Sequence, residues 1–366
     1  MRQTHAEVRR EDPRQGQALR QYILANEAAT ALSLATTIEE LVAEAQKLFR
    51  HLYPDDHVWL CLLDENRKGI QRFLVGGEGA RDAGHIPLES TGIVADAMRK
   101  GAPAVLDDLR REGSYVPMLP GMRSAMVAPL RASGEVLGAL KLESAVVGRF
   151  TDIDRRIAQG IGHHLAAAVA HLRDRARLER SLLEAISSLS TMVEGRDDYT
   201  EGHCQRIAEL SVAVGLRMGL DERGIRDLTY AGLLHDIGKV AIPDAILLKP
   251  GPLDEEERRT MQQHCTIGRR ILQSLQPLRQ VAQIVEQHHE RFDGTGYPRG
   301  LHGEQILLSA RIIAVVDAFD AMTSSRPYRR ALPREEAARR LRAGRGTQFD
   351  PDVVEVLCRY VLAIST

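Results

Sequence analysis

The run from Asp152 to Glu194, DIDRRIAQGIGHHLAAAVAHLRDRARLERSLLEAISSLSTMVE, decides how the chain is organised. It holds no proline, and its apolar residues return at three- and four-residue steps, so it reads as one long helix. Leu165, Leu172, Glu179, Ile186 and Val193 share one heptad position, and Ala168, Arg175, Leu182 and Leu189 its partner, a seam interrupted at Arg175 and Glu179. A helix that joins two units and pairs with a second copy of the chain is the expectation. A solvated linker with a charged middle is the plainer alternative.

Working outward, the two sides of this helix differ in texture. Upstream, residues Arg20 to Arg50 carry Leu24, Ala28, Ala31, Leu34, Ile38, Leu41, Ala45 and Leu48 at helical spacing. Short apolar runs follow (HVWLCLLD, GIQRFLVGG, SAMVAPLRASGEVLGALKLES), broken by Gly, Pro, Asn and Asp, and RASGEVLG reads as a hairpin turn. This is sheet interleaved with helix, of the size of a sensor module. Downstream of Tyr199 nearly everything reads as helix, punctuated by the loops IPDAILLKPGPLD and RFDGTGYPRGLHGEQ.

The length of 366 residues suits two domains. With 49 basic against 50 acidic residues, no global field draws the chain onto DNA, RNA or an anionic membrane, so an anionic substrate needs local cations. No apolar run approaches the roughly 20 residues needed to span a bilayer, and a cytoplasmic protein is expected. Cys61, Cys204, Cys265 and Cys358 are scattered without CxxC spacing, as ordinary reduced thiols would be.

Chemistry concentrates in the second half. LLHDIGKVAIPDAILLKPG, Leu233 to Gly251, sets His235 against Asp236 and follows them with Lys239; His203, His264, the pair His288 and His289, and Asp317 complete a set of imidazoles and carboxylates. That donor mixture suits Zn, Fe, Mn, Co or Ni better than Mg or Ca. Taken singly, each has a bland reading: His203 as a surface histidine near a helix start, His288 and His289 as a pair favoured at a helix C-terminus. Asp317 resists that reading, because an unpaired carboxylate in the apolar SARIIAVVDAFDAM costs several kcal/mol to bury.

Neighbours on a helix diverge by about 100°, so His235 and Asp236 serve one ion together only near a helix end, or if Asp236 bridges two ions. The glycine of IGK is expected to end that helix. Two ions sharing a carboxylate can orient a phosphodiester and stabilise its attacking and leaving oxygens. Lys239 would neutralise developing charge there, and Arg326, Arg329 and Arg330 of SSRPYRR offer phosphate grips or simply a solvated basic turn.

Together, His203, HDIGK at 235–239, His264, HHERFDGTGYP at 288–298 and DAFDAMTSSRPYR at 317–329 resemble the HD-GYP family of bacterial cyclic di-GMP phosphodiesterases, over about Met192 to Leu357. The resemblance implies an all-α HD-type bundle, hydrolysis of cyclic di-GMP to pGpG and/or GMP, and two divalent ions, Fe or Mn ahead of Zn, Ni or Co. It implies His203, His235, Asp236 and Asp317 as ligands of one ion and Asp236, His264, His288 and His289 of the other. Asp236 and Lys239 would carry catalysis, and Lys239, Arg326 and Arg329 would contact phosphates. Gly296, Tyr297 and Pro298 resemble a loop for substrate access and for contact with diguanylate cyclase (GGDEF) domains.

Members with a third ion carry a Glu four residues before the first ligand histidine. Here that position is Tyr199, with Asp197, Asp198 and Glu201 as the nearby acids, so two ions are expected. The N-terminal half resembles a GAF domain, an α+β fold with a central antiparallel sheet, without a segment resembling a nucleotide-binding motif. The implied plan is an extension at 1–20, a GAF sensor at 21–172, a connecting and dimerising helix at 152–194, and a catalytic domain at 195–366. A phosphohydrolase for another dinucleotide, cyclic GMP-AMP or linear pGpG, and a weakly active adaptor for GGDEF proteins are the alternatives.

Overall fold

The computed structural model describes residues 30–77, 82–112, 115, 118–196, 202–325 and 330–363. The chain divides into two compact units after Leu178. Among the described residues no helix is long and apolar enough to cross a membrane.

The first unit is built on six antiparallel strands, β1 (His57–Leu63), β2 (Gly69–Gly76), β3 (Asp82–Pro87), β4 (Ala104–Leu106), β5 (Ser124–Ala132) and β6 (Glu135–Ser144), in the order β3-β2-β1-β6-β5-β4. The β5–β6 hairpin closes through Ser133 (φ 50°) and Gly134 (φ 83°), the left-handed pair that a two-residue hairpin with native twist requires. Side chains alternate between faces with period two. On β1, Val58, Leu60 and Leu62 join a core with α1 (Ile38–Leu52) and the start of α3 (Asp152–Glu194), while Trp59, Cys61 and Leu63 face a smaller core with α2 (Ile93–Lys100).

The upstream helical pattern is not continuous. Helix runs to Leu34 and restarts at Ile38, because the Thr37 hydroxyl accepts the Glu40 N–H at 3.1 Å and the Thr36 N–H and O–H both donate to the Glu40 carboxylate at 2.7 and 2.8 Å. Threonine hydroxyls that satisfy backbone amides in this way favour a helix start over a helix interior. Residues before Thr30 lie outside the described residues.

Helix α3 runs over Asp152–Glu194, as its sequence pattern predicts. Most of the apolar positions of its proposed seam, however, are used within the chain. Leu165, Ala168 and Leu172 lie in the core of the first unit, Ile186 lies in that of the second, and Leu182 and Val193 pack against it. Of that seam Leu189 stays exposed, and it lies among the further exposed apolar positions Leu178, Leu183, Ala185 and Met192.

The second unit is helical: α4 (His203–Arg217), α5 (Glu222–Leu234), the short α6 (Asp244–Leu247), α7 (Glu255–Leu272), α8 (Arg279–Gln287), α9 (Leu308–Thr323), α10 (Arg334–Ala343) and α11 (Pro351–Ala363), with a 3-10 turn at Ile237–Ala241. Their apolar faces share one core that includes Ile207, Leu228, Val281, Val285, Ile312 and Leu357.

Glycine sets how closely these helices approach. Gly232 of α5 lies against Ala208 of α4, whose Cα would be 2.8 Å from an added Cβ. Gly238 is tighter still: a Cβ there would fall 1.9 Å from the His264 carbonyl oxygen and 2.7 Å from the Gly268 nitrogen, both on α7. The glycine of HDIGK therefore does not end the helix, which stops at Leu234. Its role is to let the turn lie against the α7 backbone.

Gly238→Ala is expected to destabilise the second unit by about 1–3 kcal/mol, the usual magnitude of overpacking where backbone cannot yield. Gly160→Ala, on α3 with nothing within 4 Å of the new methyl, is expected to be neutral or stabilising by up to about 1 kcal/mol. Calorimetric unfolding of the two variants against the parent chain tests the contrast.

Candidate metal centre

Five segments converge on one cavity of about 370 Å³, lined by His203, Asp236, Lys239, His264, His289, Tyr297 and Asp317 among others. His203 is the first residue of α4, and His235 caps the C-terminus of α5 just before the 3-10 turn that begins after Asp236. His264 sits within α7, His288 caps α8 with His289 next to it, and Asp317 lies within α9. His203, His235 and His288 thus stand at three helix ends that meet around a common centre.

The rings are set by backbone carbonyls. The Nδ1–H groups of His235, His264 and His288 donate to Gly232 O (2.8 Å), Met261 O (2.8 Å) and Val285 O (2.7 Å). Each therefore presents an Nε2 lone pair to the cavity, the tautomer a metal needs. The Nε2 atoms of His264 and His288 are 3.4 Å apart, close enough for one ion to be held by both. Asp236 stands between the sets, with Oδ2 3.4 Å from His235 Nε2 and Oδ1 3.6 Å from His264 Nε2.

Two groups of donors result: His203, His235 and Asp236, and His264, Cys265, His288 and His289, each with ligand atoms within 4.8 Å of one another. Asp317 joins the first, its Oδ1 3.4 Å from His203 Nε2. This chemistry fits transition-metal binding: buried imidazoles with free lone pairs and two carboxylates at hand.

The electrostatics differ between the groups. Burial pushes His264 down, His288 well down and His289 down to about 4, so these rings are neutral. Burial also opposes charge on His203, but its hydrogen bonds to Asp317 and Asp320 outweigh this and raise it to about 9. For Asp236 burial favours the neutral acid, yet the Lys239 ammonium, 2.8 Å away, and the surrounding histidines hold it well below the usual carboxylate range.

Several participants escaped the sequence reading. Asp320, one turn beyond Asp317, accepts from His203 Nδ1 (2.8 Å) and from Arg206 (2.7 and 3.1 Å), and these partners overcome its burial to bring it down to about 2. The signal was the second acid of DAFD, three residues on and facing the same way. Cys265, read as an ordinary thiol, lies 3.4 Å from His264 Nε2, and burial pushes that thiol up. All four cysteines are free and buried.

Tyr297 packs its ring 5.0 Å from that of His289, and Gly296 passes so close to the chain that a Cβ would meet Arg291 N at 2.3 Å. Lys239 faces the cavity through Asp236. Tyr199, Asp197, Asp198, Glu201, Arg326 and Arg329 lie outside the described residues, as does most of the basic turn.

Residues 31–170 match the family model described as GAF domain, and residues 187–353 that described as HD domain. A cyclic di-GMP phosphodiesterase of Thermotoga maritima is 46% identical over 183 residues, covering 50% of this chain and 50% of that protein. The cyclic di-GMP phosphodiesterase response regulator RpfG of Xanthomonas campestris is 41% identical over 204 residues, covering 55% and 52%. The 3'3'-cGAMP-specific phosphodiesterase 3 of Vibrio cholerae is 38% identical over 208 residues, covering 57% and 43%. The chain spans about half the length of these curated relatives. It carries a GAF domain followed by an HD domain.

Proposed function

We propose that this chain is a phosphodiesterase of the HD-GYP type that hydrolyses cyclic di-GMP to pGpG, GMP or both in the cytoplasm, under control of its GAF domain. The observation that carries this reading is the pair of donor groups meeting at Asp236. In this reading His203, His235, Asp236 and Asp317 hold one divalent ion and Asp236, His264, His288 and His289 the other, with Fe or Mn as the native metal. The ions supply Lewis-acid activation of a phosphodiester and of its attacking water. The similarity of the helical half to proteins named cyclic di-GMP phosphodiesterases supports the substrate.

The chain's own residues perform the remaining tasks. Lys239 holds its ammonium against Asp236 at the cavity, where an incoming phosphate can share that cation. Tyr297, between Gly296 and Pro298, offers an aromatic edge of the cavity to a guanine, and the same loop is a contact surface for GGDEF proteins. Arg326 and Arg329 grip the phosphates as bidentate partners. A second reading, hydrolysis of cyclic GMP-AMP, has support from the relative named for that substrate.

The chain is also proposed to dimerise through α3. Leu178, Ala185 and Met192 recur every seven residues on the exposed side of the helix, with Leu189 between the last two, the spacing that a second identical helix matches.

Protein reconstituted anaerobically with Fe(II) or Mn(II) is expected to turn over cyclic di-GMP, followed by chromatography beside cyclic GMP-AMP and pGpG. His235→Ala and Asp236→Ala should each lose at least about 100-fold, more than outer-shell changes cost. No turnover of any of the three in protein holding two ions per chain would overturn the reading.

Metal uptake should report the two electrostatic environments. With His203 raised to about 9, an ion entering its group at pH 7 must displace a proton, so that affinity weakens as pH falls below about 9. The rings of His264, His288 and His289 are all held below the ordinary imidazole value by burial, so the affinity of their group should be less sensitive to pH around neutrality. Calorimetry in buffers of different ionisation enthalpy should show about one proton released per chain, and none would contradict the assignment.

For the dimer, light scattering of Leu189→Glu with Met192→Glu should give half the mass of the parent chain. An unchanged mass removes the α3 seam.

A further inference from the structure

The last turn of α3 reaches into the metal centre without contributing a ligand. Glu194, its final residue, lines the cavity and extends its carboxylate to the start of α4: Oε1 accepts the Cys204 N–H at 2.6 Å and Oε2 the Gly202 N–H at 3.2 Å. Gly202, the N-cap of α4 with φ 78°, has no side chain to cap with, and the first amides of a helix have no partner within it. Glu194 supplies that cap from another helix, and the two amides it holds flank His203.

Arg196, two residues later and still bonded to the last turn through Val193 O, does the same for the opposite wall. Its guanidinium donates to Val240 O at 2.6 Å, to Lys239 O and Ile242 O at 3.4 Å, and to the Asp244 carboxylate at 2.5 Å. These are the carbonyls of the 3-10 turn that follows Asp236 and contains Lys239. No rotamer of a lysine could span them, because one ammonium lacks the planar fork.

We propose that Glu194 and Arg196 are positioning residues, a two-sided clamp by which the end of α3 sets the separation of the His203 segment from the Asp236–Lys239 segment. Neither is among the residues assigned as ligands, and the bonds described for them go to backbone amides, backbone carbonyls and the Asp244 carboxylate. A small rotation of the helix end draws on both bonds at once and changes how well the two donor groups fit their ions. This is the point at which a signal travelling along α3 acts on the site, and it rests on the reading of that site as a metal centre.

The test uses the full-length chain and three variants, Glu194→Ala, Glu194→Gln and Arg196→Lys. Hydrogen exchange is read at Gly202–Cys204 and at Lys239–Ile242, and Mn(II) affinity by titration, both without substrate. Glu194→Ala should speed exchange at Cys204 by about 10-fold or more, leave the helices of the core protected, and weaken the uptake of one ion by about 10–100-fold. In turnover assays kcat should fall with KM little changed. Glu194→Gln keeps an acceptor oxygen and should recover part of the loss, while Arg196→Lys should loosen the 3-10 turn and weaken the ion held by Asp236.

Unchanged exchange and unchanged metal affinity in all three would overturn the clamp, as would a uniform rise in exchange across the second unit, which marks plain destabilisation. Because neither readout needs a substrate, a chain that binds metal as stated but turns over none of the dinucleotides would sink the proposed activity and leave the clamp standing.

Discussion

A carboxylate held among buried imidazole rings must stay charged if it is to attract cations, and burial alone would protonate it. Asp236 escapes because Lys239 and the rings around it lower its pKa further than desolvation raises it. Such an arrangement is costly for a protein with nothing to bind, since unpaired or crowded charges in an interior stabilise little and often destabilise. The same accounting explains His203, whose protonated ring offers one N–H to each of two acids, and Asp320, which His203 and Arg206 together hold ionised against its burial. The centre is a set of groups mutually adjusted to receive positive charge.

Holding that set together is a matter of backbone distance. His264 reaches Asp236 only because the turn carrying Asp236 lies directly on α7, where Gly238 and Gly268 leave no Cβ between the two backbones. His235 and Asp236 can act side by side only because α5 stops at Leu234 and the chain tightens into a 3-10 turn, which aims consecutive side chains differently from an α-helix. The end of α3 then touches both sides of this assembly through Glu194 and Arg196, so the helix that leaves the sheet unit finishes at the site itself.

In the first unit the sheet hides a comparable polar cluster. Lys141 and Glu143 share the face of β6 that carries Ala139, and they pair at 2.9 Å while Glu143 accepts from the Trp59 indole (3.1 Å), the Met118 N–H (3.1 Å) and the Tyr115 hydroxyl. Lys141 also lies over the Tyr115 ring. Lys141 and Glu143 alternate along β6 with Leu140 and Leu142, which face the other core. Only a second layer, α2 and its neighbouring loop, turns that face into an interior.

What the sequence determined by itself was periodicity and chemical type: a sheet half, a long proline-free helix, a helical half, and a donor set whose members stand far apart along the chain. Those features are local, and local spacing is enough to read them. The tertiary structure alone decided which apolar positions of α3 were consumed by the two cores, since burial depends on what packs against a face and not on its heptad phase. It also decided that Gly238 serves close approach, that Thr36 and Thr37 interrupt the first helix, and that Asp320, Cys265, Glu194 and Arg196 belong to the site. Each of these rests on a contact with a distant or competing group, and such a contact leaves no period in the sequence to be counted.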